Sequence, residues 1–486
     1  MERYDVAVIG AGIVGCSVAR ELSKYRLRAV VIEKENDVSL GATRANSAIV
    51  HAGYDPVPGT MIAKYNVEGS RIIQRLAKEL DFPYQQIGAF VLAFDEEDEK
   101  TVEKLYQRGV ANGVPDLEIL SPQRLLEMEP NLNPEIHCAL YAPTAAICSP
   151  WEMTIAQMDN AVTNGVELLL KNRVTGIERL SDGFRITTDR QTLDSRFVIN
   201  AAGVYADEIC AMVEQPSFRM VADNGDYYIL DKSQGHVVSH VVFQCPSKMG
   251  KGVLLSPTVH GNLIVGPDAQ DIEDKEDRST TAKRLQYVLD TARRSCSAFD
   301  SREAIRNFAG VRPNSDQKDF VIYASEKNPG YINLGGMKSP GLTSGPAIAV
   351  DVIQMLREGG LLLDPKPDYN PYRKVIRFKN LSKEEKQAAI ARDRRYGRVI
   401  CRCETITEGE IVAALHGPFV PASIDGIKRR CGAGLGRCQG GFCRPRVQAI
   451  IARELGIPFE AVEQDREGSY IVIGKTAKGE KSHEGI

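Results

Sequence analysis

The sequence predicts an α/β protein with a Rossmann-like nucleotide-binding domain, an α+β second domain and a small all-helical C-terminal domain. Three observations predict this order. The N-terminus shows a strand, a glycine-rich turn, a helix and a second strand. The middle mixes short strand-like runs with polar helices, and four cysteines are grouped near the C-terminus. A chain of 486 residues is long enough for about two to four domains.

Composition and charge exclude several classes of protein. The chain has 43% hydrophobic and 26% charged residues, as an ordinary globular protein has. Its formal net charge of −3 is too small to indicate nucleic acid or an anionic membrane as a partner. No apolar run approaches the ~18 residues of a transmembrane helix, and residues 1–5 do not resemble a signal peptide. We therefore expect a cytoplasmic location, where cysteines are thiols or metal ligands.

The N-terminal motif predicts a dinucleotide site. An apolar run at residues 6–9 is followed at once by Gly10, Gly12 and Gly15 in the GxGxxG spacing. The first glycine permits a tight turn, the second lets the backbone approach a pyrophosphate, and the third packs the helix on the strand. The free N–H groups at the start of the helix then bind the phosphates.

The second strand ends at an acidic residue. The apolar run 29–32 leads into Glu33, which follows Gly10 by 23 residues. A carboxylate at this place accepts hydrogen bonds from a ribose hydroxyl and repels a 2′-phosphate. The fingerprint by itself does not separate FAD from NAD.

Four blocks of sequence carry a resemblance to a known family. They are residues 41–69, which contain Asn46-Ser47-x3-His51-x-Gly53, and residues 198–203, 310–313 and 335–343. Together they resemble the FAD-dependent oxidoreductases related to D-amino-acid oxidase, in particular the glycerol-3-phosphate dehydrogenase and L-2-hydroxyglutarate oxidase branches. The resemblance covers roughly residues 1–365 and implies FAD as the cofactor.

The same resemblance implies which residues contact FAD. The block around Asn46 is expected to run under the flavin ring, and the helix from Gly345 is expected to point at the flavin. The predicted FAD-binding residues are Gly10, Gly12, Ile13, Val14, Gly15, Glu33, Lys34, Thr43, Arg44, Asn46, Ser47, Val174, Ala202, Gly203, Gly336, Lys338, Gly341, Leu342 and Thr343.

Oxidation of an alcohol by a flavin needs a base for the hydroxyl proton. Histidine suits this role because its ordinary pKa of about 6.5 lies near working pH. His51 is the leading candidate because it lies in the flavin-adjacent block, and His236 and His260 follow it. Replacement of His51 would distinguish an alcohol substrate from an amine substrate, because imine formation needs no such base.

Three further residues are candidates for the substrate pocket. Arg312 is expected to bind the anionic group of the substrate through its planar fork. Lys338 would add positive charge, and Tyr228 would line the pocket. The resemblance implies a small anionic 2-hydroxy compound, with oxidation of sn-glycerol 3-phosphate to dihydroxyacetone phosphate preferred over oxidation of L-2-hydroxyglutarate. An amine substrate, as in proline or opine dehydrogenases, and a non-catalytic electron-relay subunit stay open as alternatives.

The C-terminal cysteines predict a metal centre. Cys401-x-Cys403 and Cys438-x4-Cys443 are separated by 34 residues, and grouped thiolates select Fe–S clusters, zinc or Cu(I). The region resembles the 2Fe–2S domain of bacterioferritin-associated ferredoxin, in the form fused to anaerobic glycerol-3-phosphate dehydrogenases. We expect these four cysteines to bind a 2Fe–2S cluster. Zinc is the rival, although its structural sites usually use C-x2–4-C pairs.

A chain with a flavin, a metal centre and no visible second nucleotide fingerprint is predicted to pass its electrons to a redox partner, either a second flavoprotein or a quinone-linked protein at the membrane. Neighbouring arginines would offset the cluster's negative charge or form a basic docking surface for that partner. Cys431 is a spare thiol that would displace a predicted ligand if the assignment is wrong. The arginines are Arg402, Arg429, Arg430, Arg437 and Arg444.

The predicted domain boundaries follow from these assignments. The FAD-binding domain comprises residues 1–80, 146–220 and 306–365, and the substrate domain comprises 81–145 and 221–305, with 268–278 as a surface loop. A linker at 366–395, the 2Fe–2S domain at 396–456 and a polar tail at 457–486 complete the chain. Within the 2Fe–2S domain, Thr407 and Glu410 have the spacing of a capping box that opens a helix.

Overall fold

A computed structural model describes residues 2–246, 252–421 and 423–474. The chain divides into two compact units, Met1–Val375 and Ile376–Ile486. The last part of the predicted tail, 475–486, lies outside the described residues.

Among the described residues, most of the strands lie in the first unit, and the second unit contains β21 and β22. The strands are β1 (Arg3–Ile9), β2 (Ala29–Ile32), β3 (Ile49–Val50), β4 (Tyr84–Gln86), β5 (Ala89–Ala93), β6 (Glu118–Leu120), β7 (Cys138–Ala142), β8 (Ala146–Cys148), β9 (Glu167–Leu169), β10 (Val174–Leu180), β11 (Gly183–Thr188), β12 (Thr192–Asn200), β13 (Met220–Leu230), β14 (Val241–Gln244), β15 (Leu254–Pro257), β16 (Leu263–Gly266), β17 (Gln270–Asp271), β18 (Ala304–Ser315), β19 (Val321–Ala324), β20 (Tyr331–Gly335), β21 (Val399–Cys401) and β22 (Ile406–Thr407).

The helices of the first unit pack on these sheets, and those of the second unit form most of that unit. They are α1 (Ile13–Leu22), α2 (Met61–Leu80), α3 (Glu96–Ala111), α4 (Pro122–Met128), α5 (Pro150–Thr163), α6 (Ala206–Ala211), α7 (Ala282–Ser295), α8 (Gly341–Glu358), α9 (Lys383–Arg392), α10 (Glu408–Leu415), α11 (Ile424–Cys431) and α12 (Arg444–Leu455).

The first sheet confirms the predicted Rossmann-like core. Its strand order among the described residues is β10-β11-β12-β1-β2-β9, with β20 beside β12 and β19 beside β20. The central strands β12, β1, β2 and β9 run parallel, and β1 and β2 are largely buried, as strands covered on both faces are. The glycine-rich turn therefore follows β1 at the carboxyl edge of the sheet, where such folds bind ligands.

Close packing of that turn requires two of its glycines. Gly10 has a φ of +103°, a conformation that glycine adopts without strain. A Cβ atom on Gly15 would lie 1.9 Å from the carbonyl oxygen of Gly10. Helix α1 therefore approaches the turn at a distance that no other residue at position 15 permits.

The second sheet forms the α+β domain. Its order among the described residues is β17-β13-β16-β15-β14-β5-β7-β6, and β18 pairs along the whole of β13. The prediction placed residues 306–315 in the FAD-binding domain, whereas this antiparallel ladder, from Met220 opposite Ser315 onwards, places them in the second sheet. The backbone hydrogen bonds of the ladder decide the assignment, and the local sequence does not reveal them.

The charged stretch 268–278 is more than a surface loop. It contains the short strand β17, and two of its side chains contact the FAD-binding part of the unit. Glu276 forms an ion pair of 3.0 Å with Lys34, and Lys275 forms one of 3.1 Å with Asp207. Helix α8 also differs from the prediction, because it begins at Gly341, one turn before Gly345.

The second unit is mainly helical and includes the short antiparallel pair β21 and β22. The capping box is present, since Thr407 accepts from the Glu410 N–H and the Glu410 carboxylate accepts from the Thr407 N–H. The predicted linker ends earlier than expected: residues 376–395 belong to this unit, where Phe378, Ala389 and Tyr396 form a hydrophobic cluster. Part of the predicted tail also packs here, because Val462 is fully buried.

Across the part of the chain that the structure describes, no helix is both long enough and apolar enough to cross a membrane.

Gly15→Ala should destabilise the protein by about 1–3 kcal/mol and weaken flavin retention, because the new methyl group overlaps the Gly10 carbonyl. Chemical denaturation and the flavin content of the purified protein measure both effects. Gly176→Ala is the matched control, since a Cβ atom there meets nothing within 4 Å. Equal stability of the two variants would contradict the packing argument.

Candidate functional site

The nucleotide end of the site lies at the carboxyl edge of the first sheet. The Glu33 carboxylate accepts from the N–H of Ala11 at 2.7 Å and from the N–H of Glu35 at 3.0 Å. Burial raises the pKa of Glu33, and these two hydrogen bonds oppose that shift. Helix α1 begins after Gly12 without a side-chain cap, while its Ile13 N–H donates to Thr43 Oγ1 at 3.0 Å. This end fits a nucleotide, because backbone N–H groups and a carboxylate meet there.

A cavity of about 1300 Å³ begins near this point and extends between the first and second sheets. Its volume exceeds the range of about 300–1,000 Å³ usual for sites that hold one small ligand. It therefore has room for a flavin ring together with a small substrate. The predicted residues that line it are Ile13, Thr43, Asn46, Ser47, His51, Arg312, Lys338, Gly341 and Leu342.

The other predicted FAD-binding residues lie outside this cavity lining. Most belong to the turns at the carboxyl edge of the first sheet, and Ala202 lies against Gly10, since a Cβ on Gly10 would be 3.2 Å from the Ala202 Cα. Val174 is buried in the hydrophobic core, and Thr343 is fully buried under the cavity. Their contacts with FAD stay predictions. The set is Gly10, Gly12, Val14, Gly15, Glu33, Lys34, Arg44, Val174, Ala202, Gly203, Gly336 and Thr343.

His51 is fixed in the wall of the cavity directly after β3. Its N–H donates to Thr343 Oγ1 at 3.0 Å, and its carbonyl accepts from Asn66 Nδ2 at 2.6 Å. Its ring stacks on Phe243 with 5.9 Å between ring centres, and its Nε2 lies 3.4 Å from Ser339 Oγ. The imidazole is thus held in place while it faces the cavity, as a proton acceptor needs to be.

The other two candidate histidines do not reach this cavity. His236 is exposed, and His260 stacks on Trp151 with 6.3 Å between ring centres. Its Nε2 also lies 3.3 Å from the carboxylate of Glu152. Neither histidine is among the residues that line the cavity.

Tyr228 does not line the cavity, and its neighbour Tyr227 does. Successive side chains of β13 point to opposite faces of the sheet, so Tyr228 packs against the hydrophobic cluster behind it. Tyr227 stacks on Phe308 with 4.7 Å between ring centres, and its hydroxyl lies 3.2 Å from Ser47 Oγ. Two adjacent tyrosines left the phase of the strand undecided in the sequence.

Arg312 faces the cavity from β18 and is held by partners on its own sheet. Its guanidinium donates to the Asp223 carboxylate at 2.6 Å and to the Asp268 carbonyl at 2.8 Å. Burial alone would lower the pKa of Arg312, but Tyr227 and Asp223 hold it above its usual value. Arg284 forms a two-point hydrogen bond with the Asp268 carboxylate, at 2.6 and 2.7 Å. These contacts therefore orient the Arg312 guanidinium before any ligand binds.

Two lysines that the sequence analysis missed also line the cavity. Lys283 and Lys318 are exposed and line the same cavity as Arg312 and Lys338. They lie in separate parts of the chain, on α7 and before β19, so no local pattern connects them. Together with Arg284, these basic side chains outnumber the acidic ones that line the cavity, which are Asp55, Asp223 and Asp268.

In the second unit, the four predicted cysteines form two pairs. The Sγ atoms of Cys403 and Cys438 lie 3.7 Å apart. Two thiolates on one tetrahedral metal ion with bonds of about 2.3 Å lie about 3.8 Å apart. The second pair joins Cys401 and Cys443, whose side chains are hydrogen-bonded to each other.

The two pairs differ in their electrostatics, and each receives hydrogen bonds from its own backbone N–H groups. The contact with Cys443 lowers the pKa of Cys401 to about 6, and the same contact raises the pKa of Cys443. The N–H of Phe442 lowers the pKa of Cys438, with help from neighbouring glycine N–H groups. Such N–H groups stabilise thiolates and tune the potential of a bound cluster.

This arrangement fits a two-iron centre better than a single ion. Among the described residues, no three His, Cys, Asp or Glu side chains converge to hold one metal ion. A 2Fe–2S cluster needs two thiolates on each of two irons, which is what two thiol pairs supply. Cys431 donates to the Ile427 carbonyl of its own helix at 3.3 Å. These contacts leave Cys401, Cys403, Cys438 and Cys443 as the fitting ligand set.

Comparison with known proteins identifies the family. Residues 5–355 match the family model described as FAD dependent oxidoreductase, which is well over half of the chain. The chain belongs to this FAD-dependent oxidoreductase family. Residues 399–453 of the oxidoreductase match the model described as BFD-like 2Fe-2S binding domain. The predictions of FAD and of a 2Fe–2S cluster as cofactors are therefore confirmed.

Individual relatives of this oxidoreductase agree. "Glycerol 3-phosphate dehydrogenase" of Caloramator mitchellensis is 50% identical over 97% of this chain and 99% of its own. One of the subunits of the anaerobic glycerol-3-phosphate dehydrogenase of Escherichia coli K12 is 24% identical over 92% of this chain and 88% of its own. The solved structure of dithionite-reduced L-alpha-glycerophosphate oxidase from Mycoplasma pneumoniae with FAD bound is 32% identical, covers 77% of this chain and 100% of its own, and gives a TM-score of 0.74.

Cys443→Ser should lose most of the iron and acid-labile sulfide of the purified oxidoreductase, because a hydroxyl is a poor ligand where a soft thiolate is needed. Cys431→Ser should keep both at the level of the unmodified protein and serves as the matched control. Metal and sulfide analysis of the two variants decides between them. The ligand assignment is wrong if Cys431→Ser is the variant that loses iron.

Proposed function

We propose that this oxidoreductase is a dehydrogenase that converts sn-glycerol 3-phosphate to dihydroxyacetone phosphate and passes the electrons through its 2Fe–2S cluster to a partner protein. The observation that carries the proposal is the 50% identity with the Caloramator glycerol 3-phosphate dehydrogenase, which spans 97% of this chain and hence both units. Relatives named for L-2-hydroxyglutarate cover less of this chain at lower identity, such as 28% over 55%.

The residues of the cavity fit this reaction. Bound FAD supplies the acceptor for the hydride that leaves the substrate carbon. His51 accepts the hydroxyl proton, because its ring is held at the cavity wall between Phe243 and Ser339. Asn46 and Ser47 lie beside it on the segment predicted to run under the flavin ring.

The positive groups of the cavity fit a phosphate ester. The oriented guanidinium of Arg312 offers paired N–H donors to phosphate oxygens. Lys283, Lys318 and Lys338 add charge that a dianion satisfies better than a single carboxylate does. We infer that these groups hold the phosphate at one end of the cavity while the hydroxyl-bearing carbon faces the flavin.

The partner is the second half of the proposal. The Escherichia coli relative is named as one subunit of a larger enzyme, and a protein with a cluster needs an acceptor for single electrons. We infer a redox partner that is either a second flavoprotein or a quinone-linked subunit. A cytoplasmic location, with attachment to the membrane through that partner, stays a prediction.

An anaerobic titration tests the substrate assignment. Addition of sn-glycerol 3-phosphate to the pure protein should bleach the flavin band and then lower the cluster absorbance. L-2-hydroxyglutarate and L-proline serve as comparison substrates. Bleaching by L-proline alone would identify an amine dehydrogenase. Bleaching by none of the three, with dithionite still effective, would identify an electron-relay subunit.

His51→Asn should lower kcat with sn-glycerol 3-phosphate by about 10²–10⁴-fold, because the hydroxyl proton loses its acceptor. Flavin content and reduction by dithionite should be retained. His236→Asn is the matched control and should keep full activity, since His236 is exposed and does not line the cavity. An unchanged kcat in His51→Asn would remove His51 from the mechanism.

A further inference from the structure

The four cluster ligands differ sharply in their access to solvent. Cys401 and Cys443 are buried, with 1% and 3% of their surface exposed. Cys403 is exposed and Cys438 is half-buried. Since Cys403 and Cys438 form one pair, one edge of the cluster site faces solvent and the opposite edge faces the hydrophobic core of the second unit. The exposed edge, defined by Cys403 and Cys438, is the shortest way out for an electron.

Phe442 lies at this exposed edge in an unusual position. Its N–H group is a hydrogen-bond donor to the sulfur of Cys438, while its ring is 85% exposed. The next residue, Cys443, is buried. An exposed aromatic ring is ordinary on a protein surface, but this one is attached through its own backbone to a cluster ligand.

Exposed arginines flank the cysteines of this edge in the sequence. Arg402 directly precedes Cys403, Arg437 directly precedes Cys438, and Arg446 lies in the first turn of α12, and all three are exposed. Two other arginines near the cysteines, Arg429 and Arg430, are buried. The Arg429 guanidinium pairs with Asp465 at 2.8 Å, and that of Arg430 lies over the Phe419 ring at 4.7 Å.

We propose that the surface formed by Arg402, Arg437, Phe442 and Arg446 is the docking site for an electron-carrier protein with an acidic surface around its own redox centre. The inference rests on the proposed function, since it names the kind of partner that accepts the electrons. Charge complementarity selects an acidic partner. One electron leaves the reduced cluster for the carrier at each encounter, so two encounters return the protein to its oxidised state.

The chemistry of the surface suits a brief encounter. Electron-transfer complexes bury little area, and charged rims mainly raise the rate of association. A central aromatic ring with charged neighbours supplies one apolar anchor without a large hydrophobic interface. Association at such a surface weakens as salt screens the charges.

The charge around the exit is tested with small acceptors and protein reduced by dithionite, so that the result does not depend on the substrate. Oxidation of the cluster by ferricyanide, an anion, should slow about tenfold between roughly 20 and 200 mM salt. Oxidation by hexaammineruthenium(III), a cation, should accelerate over the same range. The double variant Arg402→Glu and Arg437→Glu should reverse both trends, and Lys104→Glu, an exposed charge change on α3, should alter neither.

The partner is tested by direct binding of an acidic flavodoxin, followed by fluorescence anisotropy of a labelled sample. The unmodified protein should bind it at low salt, and the arginine double variant should bind at least about tenfold more weakly. Phe442→Ala should weaken binding with the same salt dependence, because it removes an apolar contact and no charge. Iron content and the visible spectrum establish that each variant retains its cluster.

Three results overturn the inference. The first is that the oxidation rates change neither with salt concentration nor in the arginine double variant. The second is absence of flavodoxin binding at low salt. The third is Phe442-dependent sedimentation with phosphatidylglycerol vesicles, which would assign the surface to a membrane. Failure of the flavin to bleach with sn-glycerol 3-phosphate is a separate result that would overturn the proposed function alone.

Discussion

His51 is held from both sides of its peptide backbone by residues far away in the sequence. The acceptor of its N–H, Thr343, lies 292 residues later in the first turn of α8, and the donor to its carbonyl, Asn66, lies on α2. Helices α2 and α8 meet at Gly69, where a Cβ atom would lie 2.0 Å from the Thr343 carbonyl oxygen. A buried N–H without a partner costs about 1–3 kcal/mol. The position of the imidazole that we propose as the base therefore depends on this helix crossing.

The same crossing sets the geometry of the whole cavity. Gly341 and Leu342, which start α8, line the cavity next to the segment that carries Asn46 and Ser47. Opposite them stands the second sheet, where the β13–β18 ladder presents Tyr227 and the oriented Arg312. One wall thus holds the groups suited to the flavin and the proton, and the other holds Arg312, which we propose binds the anion. A substrate with a hydroxyl at one end and a charge at the other matches this division.

Short local patterns in the sequence predicted most of the structural features, whereas the features that they missed depend on contacts between distant segments. The glycine turn, the acid after β2, the capping box of α10 and the cysteine spacing are short patterns with one physical cause each. Residues 306–315 were assigned to the wrong part of the first unit because ladder hydrogen bonds join positions 77 to 95 residues apart, from Arg306 opposite Ile229 to Ser315 opposite Met220. Tyr228 was predicted to line the pocket, whereas Tyr227 does, because the face that each residue of a strand presents depends on which side of the sheet is covered. Lys283 and Lys318 are distant in the sequence, and only the folded chain brings both to the cavity lining.

The second unit has to meet two opposing requirements. A cluster needs a rigid, desolvated mount to hold its potential, yet it needs a solvent-facing edge to release electrons. The chain meets both needs by drawing one cysteine of each thiol pair from each cysteine motif: Cys401 pairs with Cys443, and Cys403 pairs with Cys438. Within each motif, one thiol is buried and the other is more exposed. Cys401 is the last residue of β21, whereas Arg402 and Cys403 lie in the turn that follows it, so the two thiols are not held on one face of a strand. The short spacing of the first motif, tighter than that of a zinc knuckle, therefore accommodates one buried and one accessible thiol.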